Sequence, residues 1–80
     1  MTKRIRVDFA GLSVQHDVWN FEVMKGLAEM LLKRLFPYGG GKMLCMNYER
    51  CWVDYEVPIT FDTNLLGEHS FYIRAMEIKD

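Results

Sequence analysis

Cysteine is scarce in this chain. Only Cys45 and Cys51 occur, too few for the stapled framework that small secreted domains usually carry. Long apolar runs are missing as well. No stretch approaches the ~20 residues that a membrane span needs. Met1-Thr2-Lys3-Arg4 leads into Ile5-Arg6-Val7-Asp8 and not into a continuous apolar segment, so a signal peptide is not expected. A soluble, reducing, cytoplasmic setting follows as the expectation. There is no strong charge of either sign. The net charge of −1 excludes a strongly basic nucleic-acid binder but allows a local basic patch. Repeats, linkers and low-complexity tracts are absent, and residues 1–80 are expected to form a single domain.

Apolar residues are plentiful. They make up half the chain, and 14% of residues are aromatic, which separates the sequence from disordered chains. A domain this small buries only about 60–65% of its unfolded surface, so its core must be thin. The charges are unevenly placed. Residues 1–48 hold seven Lys/Arg against four Asp/Glu, whereas residues 49–68 hold Arg50 against Glu49, Asp54, Glu56, Asp62 and Glu68. The acidic side of the molecule should therefore come from its middle and later part.

Periodicity organises the rest. Ile5, Val7 and Phe9 alternate with Arg4, Arg6 and Asp8, the pattern of a half-buried strand. Leu12 and Val14 could add a short second strand after Gly11. A helix is predicted from near Asp17–Asn20 to near Phe36, with Asp17 or Asn20 as N-cap. Met24, Leu27, Leu31 and Leu35 form its apolar stripe, and Glu22, Lys25, Glu29 and Lys33 its wet face. Pro37 and Gly39-Gly40-Gly41 stop it.

Two further strands are predicted over Met43–Tyr48 and Cys51–Phe61. They should form a hairpin around Glu49-Arg50, with Met46 opposite Val53 and Leu44 opposite Tyr55. A one-residue slip would turn these side chains to the wrong face. Glu-Arg is poor turn chemistry, because neither residue tolerates positive φ well. Pro58 should lie at an edge or bulge. Asp62-Thr63-Asn64 and Gly67 mark a loop. A last strand, Phe71–Ile78, places apolar residues on both faces. The expected fold is α+β: an antiparallel sheet of about four strands with one amphipathic helix on one face, in the order β-α-β-β-β.

Few residues point to catalysis. Gly39-Gly40-Gly41-Lys42 resembles a phosphate-binding loop only superficially, since it follows a helix, precedes a strand and lacks a Ser or Thr after the Lys. Cys45 and Cys51 point to opposite faces of the hairpin, which argues against a disulfide and for a core thiol and a semi-exposed one. His16-Asp17 and Glu68-His69 pair a base with a carboxylate in sequence, but no nucleophile accompanies either. Asp54 and Glu56 share a strand face with nothing to build a pocket around them, so a solvated acidic face is the simpler reading. No enzyme activity, cofactor or metal is expected.

The outer face of the hairpin is the strongest candidate for a binding surface. It should carry Met43, Cys45, Asn47, Trp52, Asp54 and Glu56. One helix covers only one side of a sheet, leaving Trp52 exposed unless the Leu65-Leu66 loop covers it. The leading expectation is a protein-binding module using Trp52, Asp54, Glu56, Arg50 and Met43, extended by Leu65, Leu66 and His69. Its acidic groups would steer a partner with a basic surface, and Trp52 would anchor the contact. One form of this is a phage-type inhibitor occupying a nucleic-acid-handling surface. A second expectation is a nucleic-acid-binding regulator using Lys3, Arg4, Arg6, Lys33, Arg34 and Lys42. Those N-terminal charges could equally serve to blunt a strand edge. A third is a homo-oligomeric structural subunit, in which the sheet edge or the Trp52 face pairs with itself.

Overall fold

The first strand, β1 (Thr2–Asp8), keeps its alternation: Ile5 and Val7 are fully buried, Arg4 is exposed and Arg6 is half-buried. The computed structural model describes residues 1–69 and 71–79, and the side chains of all these except Glu68 and His69. At the end of β1 the Asp8 carboxylate accepts from the Ala10 amide at 2.7 Å. This short-range bond turns the chain into α1 (Ala10–Gln15), where a second strand was the alternative. Ser13 supports the turn, its amide donating to the Phe9 carbonyl and its hydroxyl to that of Ala10. Leu12 packs against the core while Val14 stays exposed. Gly11 is required here by contact, since a Cβ would come within 2.7 Å of the Tyr72 carbonyl oxygen.

The main helix, α2 (Phe21–Leu35), begins at Asn20, whose side chain accepts from the Val23 amide at 2.9 Å. That bond satisfies one of the free first-turn donors. Met24 and Ala28 are fully buried, whereas Leu31, Leu32, Leu35 and Phe36 pack at the margin of the core. The helix closes with the Phe36 amide donating to the Leu32 carbonyl. Gly39 and Gly40 then adopt φ of +92° and +107°, a region that costs glycine little.

β2 (Lys42–Asn47) and β3 (Trp52–Pro58) form the expected hairpin, with one difference. Met46 lies opposite Val53, but a bulge at Leu44 shifts the register, so that Met43 and not Leu44 faces Tyr55. One extra residue reverses the facing of everything beyond it. Met43 therefore packs against the core, and its assignment to the outer binding face is corrected. The connection is the four residues Tyr48–Cys51. The positive φ that Glu-Arg could not supply falls on Cys51, at +58°. The Asn47 side chain accepts from the Arg50 amide and steadies the turn.

A short helix, α3 (Asn64–His69), replaces the predicted loop. The Asp62 carboxylate accepts from the Asn64 amide at 2.9 Å, and Leu66 plugs the core with no exposed surface. The last strand, β4 (Arg74–Ile78), starts later than the apolar pattern suggested. Ile73 is buried, but Phe71 and Met76 are 98% and 63% exposed. The apolar residues that the pattern placed on both faces are thus only partly buried.

The strands form one antiparallel sheet in the order β2-β3-β1-β4. β1 is central, pairing Arg4 with Glu56 and Arg6 with Asp54 on one side, and Arg4 with Ile78 and Asp8 with Arg74 on the other. Pro58 sits at the last position of β3, past the end of its pairing with β2. All three helices contribute to the core on the sheet face carrying Ile5, Val7, Val53, Tyr55 and Val57. Tyr55 links the two layers, its buried hydroxyl donating to the Ala28 carbonyl at 2.9 Å. The fold of the described residues is therefore α+β, with three helices on one side of a four-stranded sheet. Among the described residues no helix is long and apolar enough to cross a membrane.

Candidate functional site

Among the described residues, the helices pack on one face of the sheet, and the opposite face carries the strands' own side chains. Alternation directs Arg4, Arg6 and Asp8 from β1, Trp52, Asp54 and Glu56 from β3, Lys42 and Cys45 from β2, and Arg74 and Met76 from β4 to this side. At its centre lies a cluster built from β1 and β3. The Arg6 guanidinium donates to both Asp54 oxygens, Nε to Oδ1 at 2.8 Å and Nη2 to Oδ2 at 3.1 Å. It also lies over the Trp52 ring, with Cζ 3.7 Å from the centroid. Asp54 is only 3% exposed. Its bonds to Arg6 raise the guanidinium pKa above the ordinary arginine value. Cys45 completes the group from β2, its thiol donating to Asp54 Oδ2 at 3.5 Å.

This geometry revises the electrostatic expectation. The acidic residues of the hairpin and the basic residues of β1 were expected to define two alternative sites. Strand pairing instead interleaves them. Arg6 covers Asp54 and stacks on Trp52, and Glu56 lies between its register partners Arg4 and Lys42. Asp54 is buried and paired, not a solvated steering charge. Counting Arg50 and Glu49 of the adjoining turn, the described residues of this face include five cations and four anions.

The remaining candidates scatter. Leu66 is in the core and is removed from the binding surface. Leu65 is exposed, but on α3, which packs on the other side of the sheet from Trp52. The side chain of His69 lies outside the described residues. Lys3 points to the helical side, with Nζ 3.5 Å from Glu77. Lys33 and Arg34 end α2 on that same side. The basic set therefore does not form one patch.

Two shallow hollows flank Trp52. One, of about 670 Å³, is bounded by Arg6, Asp8, Glu49, Arg50 and Trp52. The other, of about 170 Å³, runs from Trp52 to Arg74 and Met76. Arg74 belongs to this site only because β4 pairs with β1, which no local pattern reveals.

The chemistry available is limited. The Cys45 thiol is pushed above its ordinary pKa, first by desolvation and then by its bond to Asp54. A raised pKa keeps it in the weakly nucleophilic thiol form. His16 packs edge-on to Trp19, with ring centroids 5.8 Å apart. Among the described residues no group of three His, Cys, Asp or Glu side chains could hold a metal ion. No family model, curated protein or solved structure matches the chain.

Proposed function

We propose that this chain is a non-enzymatic protein-binding module whose contact surface is the uncovered sheet face, anchored by the Arg6–Trp52 stack. The supporting observation is the rigidity of that centre. Arg6 is held by two carboxylate bonds and by an aromatic ring, so little side-chain freedom remains to be lost on contact. Trp and Arg are the residue types that most often dominate interface energies. The flanking hollows give a partner's side chains places to enter.

The charge layout bears on the partner. Asp54 is taken by Arg6, and Asp8 accepts from the Ala10 amide. Glu56 lies between Arg4 and Lys42, which leaves Glu49 of the adjoining turn to meet a basic surface. A partner surface of mixed charge therefore has more support than a strongly basic, nucleic-acid-handling one, and inhibition of such a protein is the narrower form of the proposal. A second reading, nucleic-acid binding on the same face, draws on Arg50 and Arg74 flanking Trp52.

The test is retention of proteins from a nuclease-treated lysate by the immobilised domain. Folded Trp52→Ala and Met30→Ser variants serve as site and opposite-side controls. A protein retained by the wild type and by Met30→Ser, but lost by Trp52→Ala, supports the module and identifies its partner. Equal retention by all three proteins refutes this face. Binding of mixed oligonucleotides that weakens steeply with salt would favour the second reading.

A further inference from the structure

On the helical side of the sheet α2 carries more apolar surface than the core absorbs. Leu27 is half-buried and Met30 is 62% exposed. Between α2, α1 and the start of β4 the chain leaves a half-open groove of about 220 Å³. Phe9 and Ile73, buried residues of the core, form part of its lining. Leu12, Leu27, Met30 and Leu31 supply the rest of the apolar wall, and among the described residues Arg34 is the one charged member of the lining. No ion pair holds Arg34 among the described residues.

We propose that this groove is a binding site for a small apolar carboxylate, such as a medium-chain fatty acid. Size sets the chain length. An apolar cavity of about 150 Å³ accepts benzene, so a 220 Å³ groove accommodates about eight or nine carbons on the same scale. Charge sets the head group. An arginine in an otherwise apolar lining favours a carboxylate, which a guanidinium can meet through two parallel hydrogen bonds. A cationic head group would be repelled, and a neutral one would gain no charge attraction from Arg34, which is exposed. Small-ligand sites commonly have this composition: an apolar lining with a few polar groups that fix orientation. The groove lies across the sheet from Trp52, so the proposal stands independently of the protein-binding reading.

Titration of the isotope-labelled protein with octanoate and with 1-octanol tests it. Octanoate should shift the amide signals of Leu12, Leu31 and Ile73 and leave those around Trp52 in place. Arg34→Met, a change at an exposed residue, should weaken octanoate about fivefold or more while leaving 1-octanol unchanged. Leu27→Trp, which fills the groove from its partly open side, should abolish the binding of both in a variant whose circular dichroism matches the wild type. Absence of shifts at the groove up to about 10 mM octanoate would overturn the site. Equal binding of octanoate and 1-octanol, unaffected by Arg34→Met, would overturn its assignment to carboxylates.

Discussion

Removing one oxygen atom, in Tyr55→Phe, tests how the sheet and α2 are joined. The Tyr55 hydroxyl is buried and donates to the Ala28 carbonyl at 2.9 Å. Ala28 lies within α2, so its carbonyl also accepts from the helix's own ladder. The substitution thus leaves an acceptor half-satisfied and not orphaned. A net loss of about 1 kcal/mol is expected, toward 2 kcal/mol if the site cannot relax. For a domain of this size, the lower figure corresponds to a fall in Tm of about 4–8 °C. Urea denaturation at pH 7 should show a lower midpoint with an unchanged slope.

The pH dependence supplies a second, sharper readout of the same residue. Burial pushes the Tyr55 phenol well above the ordinary tyrosine pKa. Below that ordinary value of about 10 both states keep the proton, and the contribution of Tyr55 does not vary. Above it the unfolded chain releases the proton while the folded chain retains it. Wild-type stability should then fall by up to about 1.4 kcal/mol per pH unit from this residue alone. Tyr55→Phe lacks that loss, so the gap between the two proteins should narrow as pH rises from about 9 to 11. A gap that stays constant over this range, or no gap at pH 7, would refute the buried, bonded phenol.

The backbone can be tested at three positions, two glycines and the hairpin turn. Gly11→Ala should destabilise by about 1–3 kcal/mol, because its Cβ would press on the Tyr72 carbonyl, a backbone atom with little room to yield. Gly26→Ala should instead stabilise by about 0.5–1 kcal/mol, since the position lies inside α2 with nothing within 4 Å of the added carbon; shifts of the same sign in paired thermal melts would contradict this packing. Cys51 holds φ +58°, so Cys51→Gly should be more stable than Cys51→Ala by about 1 kcal/mol. Equal chemical-denaturation midpoints for those two variants would argue against the left-handed turn.

What the sequence by itself determined is what short-range periodicity and local hydrogen bonding can encode. The alternations at Ile5-Val7 and Val53-Tyr55-Val57 set which side of each strand is buried. The three-and-four spacing from Met24, with Asn20 ahead of it and glycines behind, sets α2 and its ends. The shared face of Trp52, Asp54 and Glu56 follows from the same two-residue period. The short helices were not legible. α1 and α3 are too brief to display a period, and each starts from a single Asp side chain accepting from the backbone. The Leu44 bulge was hidden as well, because an apolar run such as Met43-Leu44 fits either facing until the core selects one. Tertiary structure alone decided the strand order, and with it the candidate site. Arg6 and Asp54 stand 48 residues apart in the chain, and no local pattern specifies that β1 lies between β3 and β4. Their pairing turned an expected acidic patch and an expected basic one into a single neutralised platform beneath Trp52.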